Sequence, residues 1–180
     1  MPENFLEPQL ENEQTIIKQC RSGDLHAFNK IYQQYFDGLY RTAYRMLGNR
    51  EDADDAIQIA FIKLNKAISN FRSEAKLSTY IYRILFNVCY DLHRKKTVNE
   101  RIGDREPIFN PQNELQIHLD EAICALPDKM RACFVLFAIE GFKQDEIAEM
   151  LDISIGTVKA HIFQAKNKLK QALKGELAAI

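Results

Sequence analysis

The sequence has no apolar run that approaches the roughly 20 residues of a membrane-spanning helix. The amino terminus, Met1-Pro2-Glu3-Asn4, also lacks the basic-then-apolar order of a secretion signal. These two absences argue against a membrane or exported protein. They predict a cytoplasmic chain with no membrane insertion of its own.

Clustered metal ligands are absent as well. Cys20, Cys89, Cys124 and Cys133 stand apart without a C-x-x-C motif, and only Cys89 and His93 lie close in sequence. Zinc sites need ligands at set spacings, so the pattern predicts small buried thiols in a reducing compartment and no metal. No glycine-rich phosphate loop, nucleophile–base constellation or paired-carboxylate site occurs either. We therefore predict neither an enzyme nor a cofactor, with an enzyme or helical metal protein as the alternative.

The net charge of −1 conceals a segregation of charge along the chain. The first segment is acidic, and no acidic residue occurs between Ser154 and Lys174. The basic stretch carries five lysines: Lys159, Lys166, Lys168, Lys170 and Lys174. A phosphate backbone binds to a local stripe of positive charge whatever the net charge of the chain, so nucleic acid is a candidate partner. A solvated helix face is the alternative explanation of a charge run.

Apolar residues recur at helical spacing almost everywhere, which predicts an all-α protein. The first long helix is predicted from the N-cap Asp24 to Gly48, where a glycine can end it. A second helix follows, with its inward face at Ala53, Ile57, Ala60, Leu64 and Ile68. The segment from Phe71 to Leu77 is predicted to be a loop. Ser78 is expected to cap a third long helix with Ile81, Leu85, Val88 and Leu92 inward.

The segment from Thr97 to about Gln116 is poor in apolar residues and contains Gly103, Pro107 and Pro111. This composition predicts a flexible linker, long enough to let its neighbours sit tens of ångströms apart. The fold class is therefore two small helical domains, at residues 12–96 and 118–175, joined by a linker at 97–117. Short helices are expected from Leu119 to Leu126 and from Arg131 to Glu140.

The run from Gln144 to Lys159 has the pattern of a helix-turn-helix. Ile147 faces inward, Ala148 permits close helix approach, and Ser154 can cap the second helix. Asp152 occupies the turn position where glycine is expected, and aspartate tolerates left-handed geometry better than most residues. Polar and cationic groups on the second helix suit entry into the major groove of DNA. A plain helical hairpin is the alternative.

Two independent sets of residues resemble the sigma factors of bacterial RNA polymerase. Leu126-Pro127 to Arg131, Glu146-Ile147-Ala148 and Gly156-Thr157-Val158-Lys159 are similar to sigma region 4, the helix-turn-helix that reads the −35 element. Ala53 to Phe61 and the segment from Phe71 to Lys96 are similar to region 2. Two regions with only a linker between them resemble the extracytoplasmic-function (ECF) group.

The resemblance implies a function and three partners. The chain would bind core RNA polymerase through the β′ clamp and the β flap, recognise promoter DNA and direct transcription initiation without being catalytic. It also implies regulation by an anti-sigma factor. A LuxR-type helix-turn-helix regulator is the alternative, although the helical pattern of residues 12–96 does not fit the alternating strands and helices of a receiver domain.

The same resemblance implies three surfaces. The polymerase-binding residues would be Asp54, Asp55, Gln58, Ile59, Phe61 and Ile62. The −10 element would be contacted by Phe71, Arg72, Ser73, Lys76, Ser78, Thr79, Tyr80, Arg83, Asn87, Asp91 and Arg94. The −35 element would be contacted by Ser154, Thr157, Lys159, Ala160, His161, Phe163, Gln164, Lys166 and Lys168.

Four of these positions depart from the usual pattern of the family. Ile59 replaces an acid, which affects the expected polymerase contact, and Tyr80 replaces a tryptophan conservatively. His161 and Gln164 stand where arginine is frequent, so fewer fixed charges face the phosphates. Gln164 could instead read an adenine edge through its amide.

Overall fold

The structure, a computed structural model, describes residues 13–71, 76–96 and 114–174. Every regular element in these ranges is helical, as the sequence predicts. The helices are α1 Glu13–Arg21, α2 Leu25–Leu47, α3 Arg50–Ala67, α4 Leu77–Lys96, α5 Glu114–Cys124, α6 Asp128–Phe134, α7 Gln144–Leu151 and α8 Ile155–Ala172. A 3₁₀ turn, Ile68–Asn70, follows α3, and a π-helical turn, Val135–Ile139, follows α6.

Local signals set the limits of α2 and α3. The Asp24 carboxylate accepts hydrogen bonds from the backbone N–H groups of His26 and Ala27 at 2.8 and 3.3 Å. Gly48 ends α2 in the left-handed conformation, with φ of 80°, and its N–H donates to the Tyr44 carbonyl. Both predicted ends of the first long helix are therefore confirmed.

The start of α4 differs from its prediction. The helix begins at Leu77, so Ser78 lies inside the first turn and is only 2% exposed. The Leu77 N–H donates instead to the carboxylate of Glu13 in α1, at 3.1 Å. The prediction that Ser78 caps this helix was wrong, because a carboxylate distant in sequence satisfies the first N–H group.

The helix α5 begins earlier than the sequence suggested. It starts at Glu114, within the segment 97–117 that was predicted as linker, and ends at Cys124. Residues 97–113 lie outside the described part of the chain. Farther on, the predicted helix from Arg131 to Glu140 is α6 with the π-helical turn, and Gly141 follows it with φ of 76°.

The two halves of the chain, α1–α4 and α5–α8, pack against each other. Helix α4 contacts α7, and α2 contacts α5 and α6. The buried core of the amino-terminal half runs without interruption into Ala132, Cys133, Leu136 and Phe142 of the carboxy-terminal half. A smaller core unites α5, α6 and α8 around Ile123, Leu126, Met130, Val135, Ala165 and Leu169. The two halves, which the sequence predicts to be separate domains, therefore share a continuous hydrophobic core in this structure.

The helix-turn-helix prediction is confirmed in its details. Asp152 ends α7 in the left-handed region, with φ of 51° and ψ of 52°. The Ser154 hydroxyl accepts a hydrogen bond from the Thr157 N–H at 3.1 Å and so caps α8. Ile147 is fully buried and Ala148 nearly so, as helix approach requires.

The left-handed Asp152 generates a stability prediction. Replacing it with glycine removes the clash of a Cβ atom in that conformation, so Asp152→Gly should stabilise the fold by about 0.5–1 kcal/mol. Glu149→Gly, at an exposed interior position of α7, should instead destabilise by about 1 kcal/mol. Urea unfolding of both variants measures the two effects, and equal destabilisation would contradict the structural interpretation of Asp152.

Candidate nucleic-acid and polymerase interfaces

Helix α3 presents an acidic and polar face to solvent. Asp54, Asp55 and Gln58 are exposed, and Ile62 is 55% exposed. Asp55, Gln58 and Ile62 follow one another at spacings of three and four, so they share one side of the helix. This side combines negative charge, an amide and an apolar group, which suits a protein partner with a basic surface.

Two other residues predicted on this surface lie deeper. Phe61 is 6% exposed, and its ring contacts the rings of Phe28 and Tyr32 at centroid distances of 6.4 and 4.6 Å. Ile59 is half-buried against the core. The Phe61 side chain therefore packs α3 against α2 and does not face a partner.

Tyr32 is a surface residue that the sequence reasoning missed. It is 38% exposed and lies on α2 beside the Phe61 ring. Phe36 and Tyr40 follow it every four residues, with consecutive centroids 5.1 and 5.9 Å apart. The spacing of four could have been recognised in the sequence as an aromatic stripe on α2. This stripe lies beside the exposed face of α3 and adds aromatic surface to it.

Helix α4 carries the polar stripe that the sequence predicted. Arg83, Asn87, Asp91 and Arg94 are all exposed. Opposite them, Ile81, Leu85 and Val88 are buried, so packing fixes the stripe outward. The stripe offers guanidinium groups and an amide, which are the groups that bind phosphates and base edges.

Three of the predicted −10 residues on either side of the loop before α4 are buried. Phe71, Ser78 and Thr79 are 7, 2 and 7% exposed, so they cannot form an open wall of a base-binding pocket in this arrangement. Phe71 packs on the half-buried ring of Tyr80 at 4.8 Å. Arg72 and Ser73 lie outside the described residues. Lys76 is exposed, and its ammonium lies 3.9 Å from the Glu146 carboxylate.

Helix α8 exposes a mixed cationic and aromatic face. Its exposed members among the predicted residues are Ser154, Lys159, Ala160, Phe163, Gln164, Lys166 and Lys168. Phe163 is 67% exposed, which is unusual for a phenyl ring in a soluble protein. A phenyl group among lysines fits a DNA groove, where it can contact a thymine methyl group.

Three side chains of the predicted α8 surface are engaged within the protein. Thr157 is half-buried, and its hydroxyl lies 2.8 Å from that of Ser154. His161 is also half-buried, and its Nδ1 atom is shielded from solvent and has no hydrogen-bond partner among the residues that the structure describes. His161 is therefore less exposed than Lys159 and Gln164 on the same helix. The Lys166 ammonium lies over the Phe137 ring at 5.3 Å.

The junction between the halves contains a partly buried carboxylate, Glu140. One of its oxygens accepts a hydrogen bond from the Thr42 hydroxyl and the other from the Tyr82 hydroxyl, both at 2.6 Å. Burial, reinforced by the adjacent carboxylate, raises the pKa of Tyr82 far above its usual value. The Tyr82 hydroxyl therefore stays protonated at neutral pH and donates its hydrogen bond to Glu140.

A buried guanidinium strengthens the same junction. Arg131, 6% exposed, donates to the Leu126 carbonyl at 3.0 and 3.2 Å and to Asp128 at 3.0 Å. It also donates to the Met46 carbonyl near the end of α2. Every one of these acceptors is an oxygen, so the charge is satisfied in spite of its burial.

Further polar pairs join the halves, and a cavity lies between them. Arg45 pairs with Asp120 at 3.1 Å, and His93 pairs with Asp128 at 3.0 Å. The cavity, about 260 Å³, is lined by Met46, Phe86, Asn87, Tyr90, Asp128, Lys129, Ala132, Leu151 and Ile153. Asn87 of the predicted −10 surface therefore faces the carboxy-terminal half across a gap. Sequence reasoning missed all of these contacts, since no local pattern marks them.

The four cysteines are free and buried, in agreement with their prediction. Burial raises the pKa of Cys89 to about 12 and that of Cys133 to about 11. Such thiols stay protonated at neutral pH and react slowly. Among the described helices, none is long and apolar enough to cross a membrane.

Comparison with known proteins identifies both halves. Residues 31–98 match the family model of sigma-70 region 2, and residues 117–169 match that of sigma-70 region 4. The ECF RNA polymerase sigma factor SigW of Bacillus subtilis is 34% identical over 177 residues, covering 88% of this chain and 95% of that protein. The ECF RNA polymerase sigma-E factor of Escherichia coli K12 is 28% identical over 176 residues, covering 87 and 92%.

Solved structures share the fold. CnrH, in complex with the cytosolic domain of CnrY, superposes with a TM-score of 0.71 at 24% identity, covering 90% of this chain and 97% of that one. RpoE of Bartonella quintana, in complex with the anti-sigma factor NepR, gives 0.71 at 22% identity, covering 82 and 96%. The match to region 2 disfavours a LuxR-type regulator. The chain belongs to the extracytoplasmic-function sigma factors of bacterial RNA polymerase.

Proposed function

We propose that this sigma factor docks on the β′ clamp through α3, contacts the −10 element through α4 and contacts the −35 element through α8. The observation that carries the proposal is the separation of three exposed polar faces over two halves, each of which matches a different sigma region. The chain acts in the cytoplasm as a non-catalytic subunit. Its −10 domain comprises residues 12–96, and its −35 domain comprises residues 118–175.

The docking surface consists of Asp54, Asp55, Gln58 and Ile62, with Ile59 at its edge. Its acids favour a basic partner, while Ile62 supplies apolar area that a partner can bury. Tyr32 extends this surface across α2. We assign the second polymerase contact, with the β flap, to the half of the chain that matches region 4.

Promoter recognition divides between two helices. On α4, Asn87 provides an amide for base edges, and Arg83 and Arg94 provide charges for phosphates. On α8, Gln164 and Phe163 face the bases while Lys159 and Lys168 neutralise phosphates. Opening of the −10 element requires unstacking of bases, a cost that capture of a flipped base can offset.

An anti-sigma factor is a further partner in the proposal. The related folds of CnrH and RpoE were solved with the cytosolic domain of CnrY and with the anti-sigma factor NepR.

The docking proposal predicts a loss of polymerase affinity in Gln58→Ala. Removal of an exposed amide at the centre of the surface should weaken binding to core polymerase about tenfold, equivalent to about 1.4 kcal/mol. Co-elution and fluorescence titration with core enzyme measure this change. Gln19→Ala, an exposed glutamine on α1, is the matched control. A wild-type chain that does not co-elute with core enzyme, or a Gln58→Ala variant that binds as wild type does, would refute the proposal.

The division of labour predicts separable effects of two substitutions. Lys159→Ala should weaken binding to −35 duplex DNA and lower the slope of log affinity against log salt by about 1, because one phosphate contact is lost. Asn87→Ala should leave that binding unchanged and reduce promoter opening by holoenzyme, measured by permanganate reactivity of −10 thymines. Lys63→Ala on α3 controls for charge. Equal effects of both substitutions on the closed complex would contradict the split.

A further inference from the structure

His161 lies at the border between the buried and the exposed sides of α8. Val158 and Ala165, about one helical turn before and after it, are fully buried. Ala160 and Gln164 are exposed. The Nδ1 atom of the His161 ring is enclosed and has no hydrogen-bond partner among the described residues, while the side chain as a whole is only half-buried. The nitrogen that a DNA partner can reach is therefore Nε2.

We propose that His161 reads a purine in the −35 element through a single hydrogen bond, donated by its Nε2–H group to the N7 atom of adenine or guanine. The inference rests on the proposed contact of α8 with the −35 element. It goes further by naming the class of base that this side chain recognises and the atom that accepts the hydrogen bond.

The enclosed Nδ1 atom determines where the His161 ring carries its proton. In a neutral imidazole, one nitrogen is a donor and the other is an acceptor. A proton on Nδ1 would be an enclosed N–H group without an acceptor, and such a group is costly because it loses its hydrogen bond to water. The proton therefore resides on Nε2, and the accessible edge of the ring is a donor.

A single donor limits the bases that His161 can bind. In the major groove, N7 is an acceptor on both purines, whereas cytosine presents a donor amine and thymine carries a methyl group beside its O4 acceptor. Arginine, which is frequent at this position in the family, has several donors and can pair with both O6 and N7 of guanine. Histidine in its place should therefore relax a preference for guanine to a preference for either purine.

The sequence of α8 places His161 in line with other hydrogen-bonding groups. Four residues at spacings of four, three and four share one stripe of the helix: Thr157, His161, Gln164 and Lys168. Three residues of helix advance about 4.5 Å along the axis, which is close to the rise of about 3.4 Å between base pairs. His161 and Gln164 can therefore contact adjacent base pairs when α8 lies in the major groove.

The experiment uses holoenzyme formed from the full chain and core polymerase, at about pH 8, where imidazole carries one proton. Promoter duplexes with a randomised −35 element are selected by binding to wild type, to His161→Arg and to His161→Phe, which retains a ring without a donor. Each purine of the selected −35 element is then replaced in turn by its 7-deaza analogue, which lacks N7 but pairs normally. Gln171→Ala is the matched control, because Gln171 is an exposed uncharged residue about 15 Å farther along α8.

We expect wild type to select adenine and guanine about equally at one position, where His161→Arg selects guanine and His161→Phe shows no preference. Removal of N7 at that position should weaken binding by wild type about fivefold, as the loss of one hydrogen bond does, and should not affect binding by His161→Phe. The slope of log affinity against log salt should be the same for His161→Phe and wild type, because an uncharged donor releases no counterion. Gln171→Ala should match wild type in every measurement.

Three results would overturn the purine contact. They are equal binding of wild type to the natural and all 7-deaza duplexes, identical selection by wild type and His161→Arg, and a salt slope that falls by about 1 in His161→Phe, since that slope indicates a charged ring on a phosphate. The 7-deaza measurement needs no substitution in the protein, so it decides the matter if a variant does not fold. Failure of wild-type holoenzyme to select any −35 sequence would instead overturn the proposed function of α8.

Discussion

The buried guanidinium of Arg131 constrains how the two halves of this sigma factor can be arranged. A charge at 6% exposure is tolerated only where oxygens surround it, and here these come from the turn before α6 and from the end of α2. A carbonyl near the carboxyl end of a helix has no donor within the helix, so the Met46 carbonyl can accept a hydrogen bond from Arg131. The hydrogen bonds of Arg131 therefore set the position of α6 against α2. The position of α6 in turn sets the positions of α7 and Glu140.

The helices were predictable because their signals are local. Asp24 and Ser154 cap helices through their own side chains, and Gly48 and Asp152 end helices through backbone conformations that few residues adopt. These effects act within one turn, so they operate in the same way whatever the tertiary structure. The exposed stripe on α4 was predictable for a related reason. A buried face at helical spacing leaves the opposite face to solvent.

The candidate surfaces were less predictable where burial depends on distant contacts. Ser78 has the side chain of a helix cap, but Glu13 satisfies the start of α4 from another helix. Phe61 stands next to the exposed Ile62, and only the packing of α2 on α3 decides which of the two faces a partner. His161 lies on the polar side of α8 by sequence, yet its Nδ1 atom is enclosed. A resemblance to a family predicts which residues correspond to its functional positions, but it does not predict whether their side chains are exposed in this chain.

The contact between the two halves shows how one residue can have both a local and a tertiary role. Acids in the first turn of a helix are favoured by the helix dipole, and both Asp128 and Glu146 occupy such positions. That local role accounts for their presence in the sequence without any partner across the junction. The same carboxylates project far enough to contact His93 and Lys76 of the other half. Residues whose sequence pattern indicates only helix formation can therefore also join two halves of a protein, which is why sequence analysis does not reveal such a contact.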